Sequence, residues 1–574
     1  MRLEQEPPPL LAQKVTDTLL EEGVVLLGCL FVLHLCLRLL SVSLPSRSGA
    51  NRMAKQPMNN VDAAWLRMED PTNLMMISGF FQFARPLDFE RVRATIAHRL
   101  LPFRRFRQRV VHSRLPLRPP FWEDDPHFSL DAHLHRIALP APGDEAALKE
   151  LVNHLASTPV DFTKPLWQFH VIENYGGGSL LFCRLHHCIA DGIALMHVML
   201  SLCDDRPDAP WPEPLSTGEH RHRRSRLFDL ISPAATAFAT TRKVGSLIRE
   251  EGREMLVNPA HLLARTRQAT SFTQTLGRLV LLPPDPKTVF KGELGVSKHT
   301  AWSDELPLEE IKSIGRIMGA TVNDVLMTLV SGALRRYLLQ RGEQADGLDI
   351  RAMVPVNLRP PEEAFKLGNH FGLVVMALPI GIGDPLERLL VVKKRMDDLK
   401  NSPEAVVGFT ILQAMGLAPA EIEELGVHFF AAKATLVLTN VPGPRQYLYF
   451  AGERIERVMF WVPQSGRMGM GISIFSYAGN VVVGVITDAN LVPDPEQIVR
   501  ELHTEFALMK TLVRQVEANV YRGEAPIAQA NDHGLCKAIT QAGRPCRNKA
   551  MAGSAYCYVH ARVVADSEDM VRLH

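Results

Sequence analysis

The chain contains the sequence LHHCIADG at residues 185–192. Residues 179–187 alternate along their length in the way that predicts a β-strand. Successive side chains of a strand point to opposite faces of the sheet. His186 and His187 are therefore predicted to point in opposite directions, so only one of them can serve a given reaction centre.

The end of this strand is marked by Asp191 and Gly192. Residues 193–203 that follow are predominantly apolar and predict a helix. A histidine at such a strand end is held rigidly but stays open to a substrate, so we predict an active-site turn. The alternative is a pair of core histidines in an ordinary strand–turn–helix unit, and the complete spacing His-His-x-x-x-Asp-Gly favours the active site over it.

This spacing resembles the acyl-CoA-dependent acyltransferases that are built like chloramphenicol acetyltransferase and the condensation domains of peptide synthetases. Within that superfamily, Pro165, Leu166 and Trp167 resemble a motif of the bacterial wax ester synthase/diacylglycerol acyltransferase family. Three further stretches are similar to the same family: DAAWL at 62–66, ND at 323–324 and NVPGP at 440–444. The resemblance extends from about Met58 to about Tyr521.

The resemblance implies an α/β fold with two chloramphenicol-acetyltransferase-like subdomains that face each other across a substrate channel. We place the first subdomain at residues 58–215 and the second at 287–521, with a connecting region at 216–286. Strands and helices are mixed in both halves of the sequence, as such a layered arrangement requires. A chain of 574 residues is also too long for one ordinary core.

The implied reaction is acyl transfer from acyl-CoA to the hydroxyl of a diacylglycerol or a long-chain fatty alcohol. His187 would act as the general base and then protonate the departing CoA thiolate, with His186 in a supporting role. The transfer needs no acyl-enzyme, and Cys188 is the nearest candidate nucleophile if one forms. No cofactor is implied, because acyl-CoA is a substrate. The donors that would stabilise the oxyanion are not identified by the sequence.

Asp191 is expected to fix the turn rather than to orient His187, because it follows the histidine by four residues, after the strand has turned away. In the superfamily the corresponding aspartate is usually structural and is held by a basic residue. Arg184 and Arg359 are the candidates for that partner here. Gly192 is expected to permit a backbone geometry that a side chain would obstruct.

The other family motifs each have a structural and a functional interpretation. Leu166 and Trp167 most simply pack in the core, whereas the resemblance implies that they and Pro165 shape the acyl channel. Asn323 and Asp324 begin a predicted helix, where such residues commonly cap the N–H groups. Helix N-termini also favour negative charge, and the resemblance implies a role for this pair in substrate binding.

Composition excludes some classes of function. The formal net charge of +2 gives no general bias toward nucleic acid, and no aromatic-rich binding module is present. Eight cysteines are few for this length, and Cys183, Cys188 and Cys203 lie close to the histidine sequence. This pattern favours a reducing compartment over a disulfide framework.

Residues 1–57 precede the family-like sequence, and within them Gly23–Leu44 is predominantly apolar. This stretch is about long enough to span a bilayer, which takes roughly 20 residues. Residues 1–22 carry two basic and five acidic side chains, whereas residues 38–55 carry four basic and none acidic. The charge asymmetry predicts that the rest of the chain lies on the cytoplasmic face of the membrane. An amphipathic or poorly structured extension is the alternative.

The segment 530–562 departs from the family pattern. It contains three cysteines and a histidine with the spacing C-x9-C-x10-C-x2-H: Cys536, Cys546, Cys557 and His560. Three thiolates and an imidazole can complete a tetrahedral zinc site, and so short a segment needs a stabilising link to fold. We predict a structural zinc, with free thiols as the alternative.

Two other functions remain open from the sequence alone. An enzyme of the condensation-domain type would transfer the acyl group to an amine or a carrier-bound acceptor, although the chain has no recognisable carrier domain. A non-catalytic protein of a membrane or lipid-droplet surface would need no reactive histidine. The intact His-His-x-x-x-Asp-Gly sequence favours the O-acyltransferase over both.

Overall fold

The structure is a computed structural model that describes residues 55–113, 119–213, 271–360, 363, 366–464 and 466–522. The predicted membrane helix, the predicted zinc-binding tail and most of the connecting region lie outside these residues. The strands are β1 Gln56–Pro57, β2 Met76–Phe83, β3 Gln108–Val111, β4 Phe121–Asp124, β5 Leu134–Ala138, β6 Trp167–Tyr175, β7 Gly178–His186, β8 Lys298–Trp302, β9 Leu306–Pro307, β10 Ile350–Asn357, β11 Phe371–Leu378, β12 Leu436–Pro442, β13 Tyr449–Phe450, β14 Glu453–Trp461, β15 Met470–Tyr477 and β16 Asn480–Asp488.

The helices lie against these strands. They are α1 Asn60–Arg67, α2 Phe89–Thr95, α3 Glu145–Ser157, α4 Gly192–Leu202, α5 Leu308–Met318, α6 Val322–Gln340, α7 Pro385–Lys400, α8 Glu404–Met415, α9 Ala420–Ala431 and α10 Pro495–Arg522. A further helical segment covers residues 271–281. None of the described helices alone has the length and hydropathy to cross a bilayer; α5 and α6 reach both only as a pair, which is bent by 100°.

Two large sheets organise the chain, one for each predicted half. The first has the strand order β13-β14-β2-β7-β6-β5 and places the histidine strand β7 at its centre. The second has the order β11-β10-β12-β15-β16-β8, with β9 pairing to β16. A small sheet, β1-β4-β3, lies beside the first. The predicted mixed α/β architecture is confirmed.

One strand of the predicted second subdomain, β14, belongs to the first sheet. Strand β14 comes from the second half of the sequence but pairs antiparallel with β2 of the first half, from Ile455 opposite Phe83 to Trp461 opposite Ser78. The chain then returns to the second sheet as β15. The halves therefore share backbone hydrogen bonds as well as a packed interface.

Helix α6 is buried along most of its length and forms the centre of the second core. It begins at the N-cap Thr321, whose side chain accepts a hydrogen bond from the Asp324 N–H while the Asp324 carboxylate accepts one from the Thr321 N–H. This reciprocal pair is a capping box, which satisfies two N–H groups at the helix start. The cap fixes the position of the first turn of α6, which faces the first half of the sequence.

Candidate active site

The strand β7 positions the two histidines. It pairs antiparallel with β2 on one side and with β6 on the other, and His186 lies opposite Met76. One residue beyond the strand, the His187 N–H donates to the Met75 carbonyl at 2.8 Å. Because β7 has a neighbour on both sides, its side-chain alternation is fixed, and the two histidines point to opposite faces as predicted.

The His187 ring is buried at the interface of the two halves. The indole of Trp65 stacks on it, with the ring centroids 4.1 Å apart and an interplanar angle of 16°. The ring centroid of Phe371, from the second half, lies 5.7 Å from that of His187. Burial among these rings lowers the pKa of His187 to about 4, so the imidazole is neutral at pH 7.

The two ring nitrogens of His187 have different surroundings. Nδ1 is buried and has no hydrogen-bond partner within the described part of the chain. Asp191, the backbone of His187 itself and the Asn369 side chain raise the pKa of His187 against the larger effect of burial. His187 forms part of the wall of a cavity, and because Nδ1 is fully buried we assign Nε2 as the nitrogen that a substrate can reach.

His186 faces the opposite side of the sheet and is fully buried. Its Nδ1 accepts a hydrogen bond from the Cys188 N–H at 3.1 Å, and its Nε2 lies 3.3 Å from the Glu69 carboxylate. The ring of Phe162 packs edge-on against it. These contacts hold the turn after β7, and His186 is absent from the wall of the cavity that the described residues form.

Asp191 is the N-cap of α4, and both of its carboxylate oxygens are engaged. One oxygen accepts from the Ala194 N–H at 2.9 Å. The other accepts from Arg359 Nη2 at 2.6 Å and from the His370 N–H at 3.0 Å. Asp191 therefore fixes the turn through a buried ion pair and makes no hydrogen bond to His187.

The basic partner of Asp191 is Arg359, not Arg184. Arg184 lies on the outer face of β7, where it donates to Gln168 Oε1 at 3.0 Å and to the Thr158 carbonyl. Between these two candidates, only Arg359 comes from the second half of the sequence. The ion pair at the histidine turn thus joins the two halves.

Residues 366–370 of the second half lie directly on the histidine turn. Arg359 donates to the carbonyl oxygens of Lys366 and Gly368, both at 2.6 Å. Gly368 has a φ of +107°, which favours glycine, and a Cβ there would lie 3.1 Å from Asn59 Nδ2. The absence of a side chain lets this segment pack closely against the start of α1, where Asn59 and Asp62 lie.

A cavity of about 220 Å³ lies between the halves, and His187 forms part of its wall. The first half contributes residues of β2, β7 and α4, including Ile77, Phe81, Cys183, Leu185, Leu195, Met196 and Met199. The second half contributes residues of α6 and five strands, including Met327, Val354, Leu373, Val437, Val441, Ile455, Val458 and Tyr477. The wall is mostly apolar, as expected for a site that receives hydrocarbon chains.

Two residues of the histidine turn differ from their predicted roles. Cys188 is fully buried and absent from the cavity wall, and burial raises the pKa of its thiol well above the usual value. These properties make it a poor nucleophile. Gly192 is the first residue of α4, and a Cβ there would meet only Val441 Cγ2 at 3.8 Å. The prediction that its backbone excludes a side chain is wrong; instead, Gly192 lines the cavity.

The predicted contribution of residues 165–167 to the acyl channel is also corrected. Pro165, Leu166 and Trp167 are buried, and none of them belongs to the cavity wall of the described chain. The Trp167 indole donates to the Phe106 carbonyl at 2.9 Å, and the Leu166 carbonyl accepts from the His186 N–H at 2.9 Å. These residues pack in the core beside the histidine strand, as the core interpretation predicts.

The Asn323–Asp324 pair divides between the two predicted roles. Asp324 closes the capping box of α6, and its side chain is fully buried away from the cavity. Asn323 lines the cavity, where its Oδ1 accepts from Asn440 Nδ2. Of the predicted substrate-binding residues, only Asn323 lies where a substrate would contact it.

Three residues that hold His187, two by direct contact and one through another side chain, were given no role by sequence reasoning. Trp65 stacks on the ring, and Asn369 Nδ2 donates to the His187 carbonyl at 2.8 Å. Asp62 accepts hydrogen bonds from Asn369 in turn. Asp62 and Trp65 share one face of α1 because they are three residues apart, and this spacing in the DAAWL stretch was the available signal. Asn369 carries no comparable signal, since it is 182 residues from His187.

No metal ligand set appears at the site. Within the described ranges, no group of three or more histidine, cysteine or acidic side chains is placed to hold a metal ion. The predicted zinc ligands of the tail lie outside those ranges.

The chain matches two family models. The wax ester synthase/diacylglycerol acyltransferase catalytic domain matches residues 58–326, and the WS/DGAT C-terminal domain matches residues 367–510. A protein of Mycobacterium tuberculosis (strain CDC 1551 / Oshkosh), provisionally named as a diacylglycerol O-acyltransferase, is 30% identical over 390 residues. That match covers 65% of this chain and 78% of the relative.

Solved structures share the fold. The wax ester synthase/diacylglycerol acyltransferase from Marinobacter aquaeolei VT8 superposes with a TM-score of 0.58 at 22% identity, covering 80% of this chain and 99% of its own. The starter condensation domain of rhizomide synthetase gives a TM-score of 0.50 at 13% identity, covering 80% of this chain and 94% of its own. The predicted resemblance to condensation domains is confirmed at the level of the fold.

Proposed function

This chain belongs to the wax ester synthase/diacylglycerol acyltransferase family, and from that premise we propose that it esterifies diacylglycerol, a long-chain fatty alcohol, or both, with acyl-CoA as the donor. The observation that carries the proposal is a neutral histidine in the wall of an apolar cavity between two halves. An acyl chain and a lipid alcohol both need such a lining. The reaction needs no cofactor.

The reaction begins with both substrates in the cavity. Nε2 of His187 takes the hydroxyl proton as the alcohol oxygen bonds to the thioester carbon, and the carbonyl oxygen becomes an oxyanion. The tetrahedral intermediate then breaks its carbon–sulfur bond. The proton on Nε2 passes to the CoA thiolate, which leaves as the thiol, and the ester remains.

The environment of His187 supports this role. A base must be unprotonated before the reaction, and burial keeps the pKa at about 4. The same burial makes a lone imidazolium costly, so the ring holds a proton well only while the oxyanion is beside it. A positive and a negative charge together in an apolar cavity attract strongly. His187 is thus suited to transient protonation in the transition state.

Asn323 is the residue we assign to the oxyanion. Its Oδ1 is occupied by Asn440 Nδ2, and within the described chain this is its only side-chain hydrogen bond. The amide hydrogens on Nδ2 remain for a group inside the cavity. Asn323 also lies in the first turn of α6, where the helix dipole favours negative charge. Removing one such donor typically lowers kcat by about 100- to 1,000-fold.

Transfer of labelled acyl groups tests the proposal. Purified protein incubated with labelled palmitoyl-CoA is offered diacylglycerol, a long-chain alcohol and a primary amine in separate reactions. We expect labelled triacylglycerol, wax ester or both, and none from His187→Ala. A labelled amide alone would support the condensation-type alternative. Absence of every product, with folded protein, would support the lipid-surface alternative.

The location of the enzyme is a second proposal, and it rests on the sequence alone. We propose that residues 23–44 anchor the chain in a membrane, with the enzyme at the cytoplasmic face beside a membrane or lipid-droplet surface. Diacylglycerol is then available without crossing water. The full chain should resist carbonate extraction, whereas a chain starting at Met58 should be extractable and active. Release of the full chain by carbonate would contradict the anchor.

The tail is a third proposal. We propose that Cys536, Cys546, Cys557 and His560 bind one structural zinc, since their types and number fit a tetrahedral site. Metal analysis under reducing conditions should find about one zinc per chain. Cys546→Ser should lose the metal and keep acyl transfer. Metal-free wild-type protein would favour free thiols.

A further inference from the structure

Helix α1 holds His187 at two points. Asp62 and Trp65 lie on one face of this helix, because side chains three residues apart are neighbours. Trp65 covers the imidazole directly, with 4.1 Å between ring centroids. Asp62 acts at a distance, since the side chain between it and the histidine backbone is Asn369.

Asn369 makes both links with the same amide group. Its Nδ2 donates to the His187 carbonyl at 2.8 Å and to Asp62 Oδ1 at 2.8 Å. The Asn369 backbone N–H donates to the same Asp62 oxygen at 2.8 Å. Two hydrogen bonds therefore fix the side-chain amide and a third fixes the backbone of Asn369, and all three are buried.

We propose that Asp62 and Asn369 are positioning residues that hold the backbone of His187, and hence its Nε2, at the place from which the base reaches the alcohol. Neither residue belongs to the cavity wall of the described chain, so neither touches substrate. They join three separate parts of the sequence: α1, the histidine turn and the segment before β11. The inference rests on the proposed function, in which His187 is the base.

The groups that donate to the Asp62 carboxylate favour its charged form, whereas burial disfavours that form. Asn59 Nδ2 donates to Oδ2 at 2.7 Å, and Arg105 Nη1 lies 3.5 Å from the same oxygen. The Cys188 thiol, the other titratable group that interacts with Asp62, is kept protonated by burial. Burial raises the pKa of Asp62 to about 6, and Arg105 and Asn369 lower it against that effect.

The protonation state of Asp62 therefore matters for the geometry. Above pH 6 the carboxylate accepts both N–H groups of Asn369. Below pH 6 one oxygen carries a proton and the acceptor strength falls, which loosens Asn369 and with it the His187 backbone. His187 itself, with its pKa at about 4, titrates only in more acid solution.

Loss of positioning should lower kcat rather than raise KM. A reacting group displaced by about 1 Å can cost about 100-fold in rate. We expect Asn369→Ala to lower kcat by about 100-fold, with KM for acyl-CoA and for the alcohol close to wild type. Asn369→Gln, which keeps the amide, should recover part of the rate. Asp62→Asn should resemble Asn369→Ala, because its amide nitrogen would face N–H donors in either orientation, Asn369 on one side or Asn59 and Arg105 on the other.

Asn153→Ala is the matched control. Asn153 also joins the two halves through its side chain, accepting from the Thr300 N–H at 2.8 Å and from its Oγ1 at 2.7 Å. It lies on α3, away from the histidine turn. Its loss should lower the melting temperature and leave kcat unchanged, which separates general loosening of the interface from loss of positioning.

The pH profile of kcat is the decisive measurement. Wild type should lose activity in acid with a midpoint near pH 6, where Asp62 takes up its proton. In Asn369→Ala that limb should move toward the pKa of His187 at about 4, because Asp62 no longer acts on the base. A purely structural role would leave the limb in place. If Asn369→Ala does not fold, the isosteric Asp62→Asn gives the same test.

The outcomes separate this inference from the proposed function. Inactive wild type, or active His187→Ala, would overturn the proposed function. Active wild type with inactive His187→Ala and a fully active Asn369→Ala would overturn only the positioning role. An Asn369→Ala enzyme with reduced kcat but an unmoved acid limb would also overturn it.

Discussion

The two faces of strand β7 each lead to a histidine, and the two histidines lie in different surroundings. On the cavity face, His187 follows Cys183 and Leu185 and presents Nε2 to a space that substrate can enter. On the outer face, His186 follows Arg184 and is enclosed by Glu69 and the Cys188 N–H. Adjacent histidines thus become a base and a support because the pleat of the strand separates them.

Replacing each histidine by alanine tests this difference most strongly. His187→Ala should lower acyl transfer by about 100- to 10,000-fold, the usual worth of general-base catalysis. His186→Ala should keep measurable activity, because its contacts support the turn and do not reach the cavity. The measurement is the rate per folded enzyme with soluble protein of each variant. Equal rates for His187→Ala and wild type would remove the central assignment.

Asp191→Asn tests whether the turn beyond the strand is structural. The amide can still cap α4 through the Ala194 N–H, but it leaves Arg359 without its charged partner in a buried site. Breaking such a pair costs about 3–5 kcal/mol, which is a large share of the roughly 5–15 kcal/mol that stabilises a typical domain. We expect a lower melting temperature or soluble yield, with activity falling in proportion to folded protein.

His187→Ala is the control for that variant, since it should remain folded while inactive. The opposite result, a fully stable but inactive Asp191→Asn, would show that the carboxylate acts in catalysis. The structure gives no contact for such a role, because both Asp191 oxygens bind groups other than His187.

Local pattern predicted the strand and helix that frame the turn. The predicted strand 179–187 is Gly178–His186 in the structure, and the predicted helix 193–203 is Gly192–Leu202. These elements follow from periodicity and capping residues, which act over a few positions.

Contacts between distant segments could not be predicted in the same way. Arg359 is 168 residues from Asp191, and Asn369 is 307 residues from Asp62. The pairing of β14 with β2 depends on the same long-range assembly. The motif at 165–167 shows a related limit: the sequence offered both a core and a channel interpretation, and the choice between them required the fold.

A further test measures how a buried histidine on the outer face affects the stability of the protein in acid. His170 of β6 lies beside Phe182 on the outer face, with both ring nitrogens buried and unpartnered in the described chain. Burial lowers its pKa to about 3, whereas an unfolded histidine has its usual value of 6.5. The unfolded chain therefore binds the proton first as pH falls from 6.5, and stability is lost progressively toward the folded pKa.

A difference of one pKa unit between the folded and unfolded states corresponds to about 1.4 kcal/mol. One such histidine should therefore lower the free energy of unfolding by about 3 kcal/mol between pH 6.5 and 4. His170→Phe should remove that contribution from the pH dependence of the unfolding free energy. Denaturant unfolding of wild type and variant at several pH values gives the difference, in which the other groups cancel. Parallel curves would mean that His170 is charged or solvated in the folded protein.

The smallest expected effect belongs to Gly192, where the cavity face meets the start of α4. Its backbone does not need glycine, since it is a first helical residue and a Cβ would meet only Val441 Cγ2 at 3.8 Å. Gly192→Ala should therefore leave stability unchanged or raise it by about 0.4–1 kcal/mol, as such replacements do at compatible sites. The added methyl group would occupy space in the cavity beside His187 and Asp191. An extra methylene in an apolar site is worth about 1–3 kcal/mol, so we expect about a tenfold loss of transfer.

The loss from Gly192→Ala should be larger for diacylglycerol than for a straight-chain alcohol, because the acceptor with two chains needs more room beside the base. Gly277→Ala is the control: Gly277 lies in the helical segment 271–281, and a Cβ there would meet nothing within 4 Å. That variant should show the gain in stability without the loss of rate. A Gly192→Ala enzyme with wild-type rates on both acceptors would mean that the reacting groups meet elsewhere in the cavity, and that glycine at this position serves neither the backbone nor the substrate.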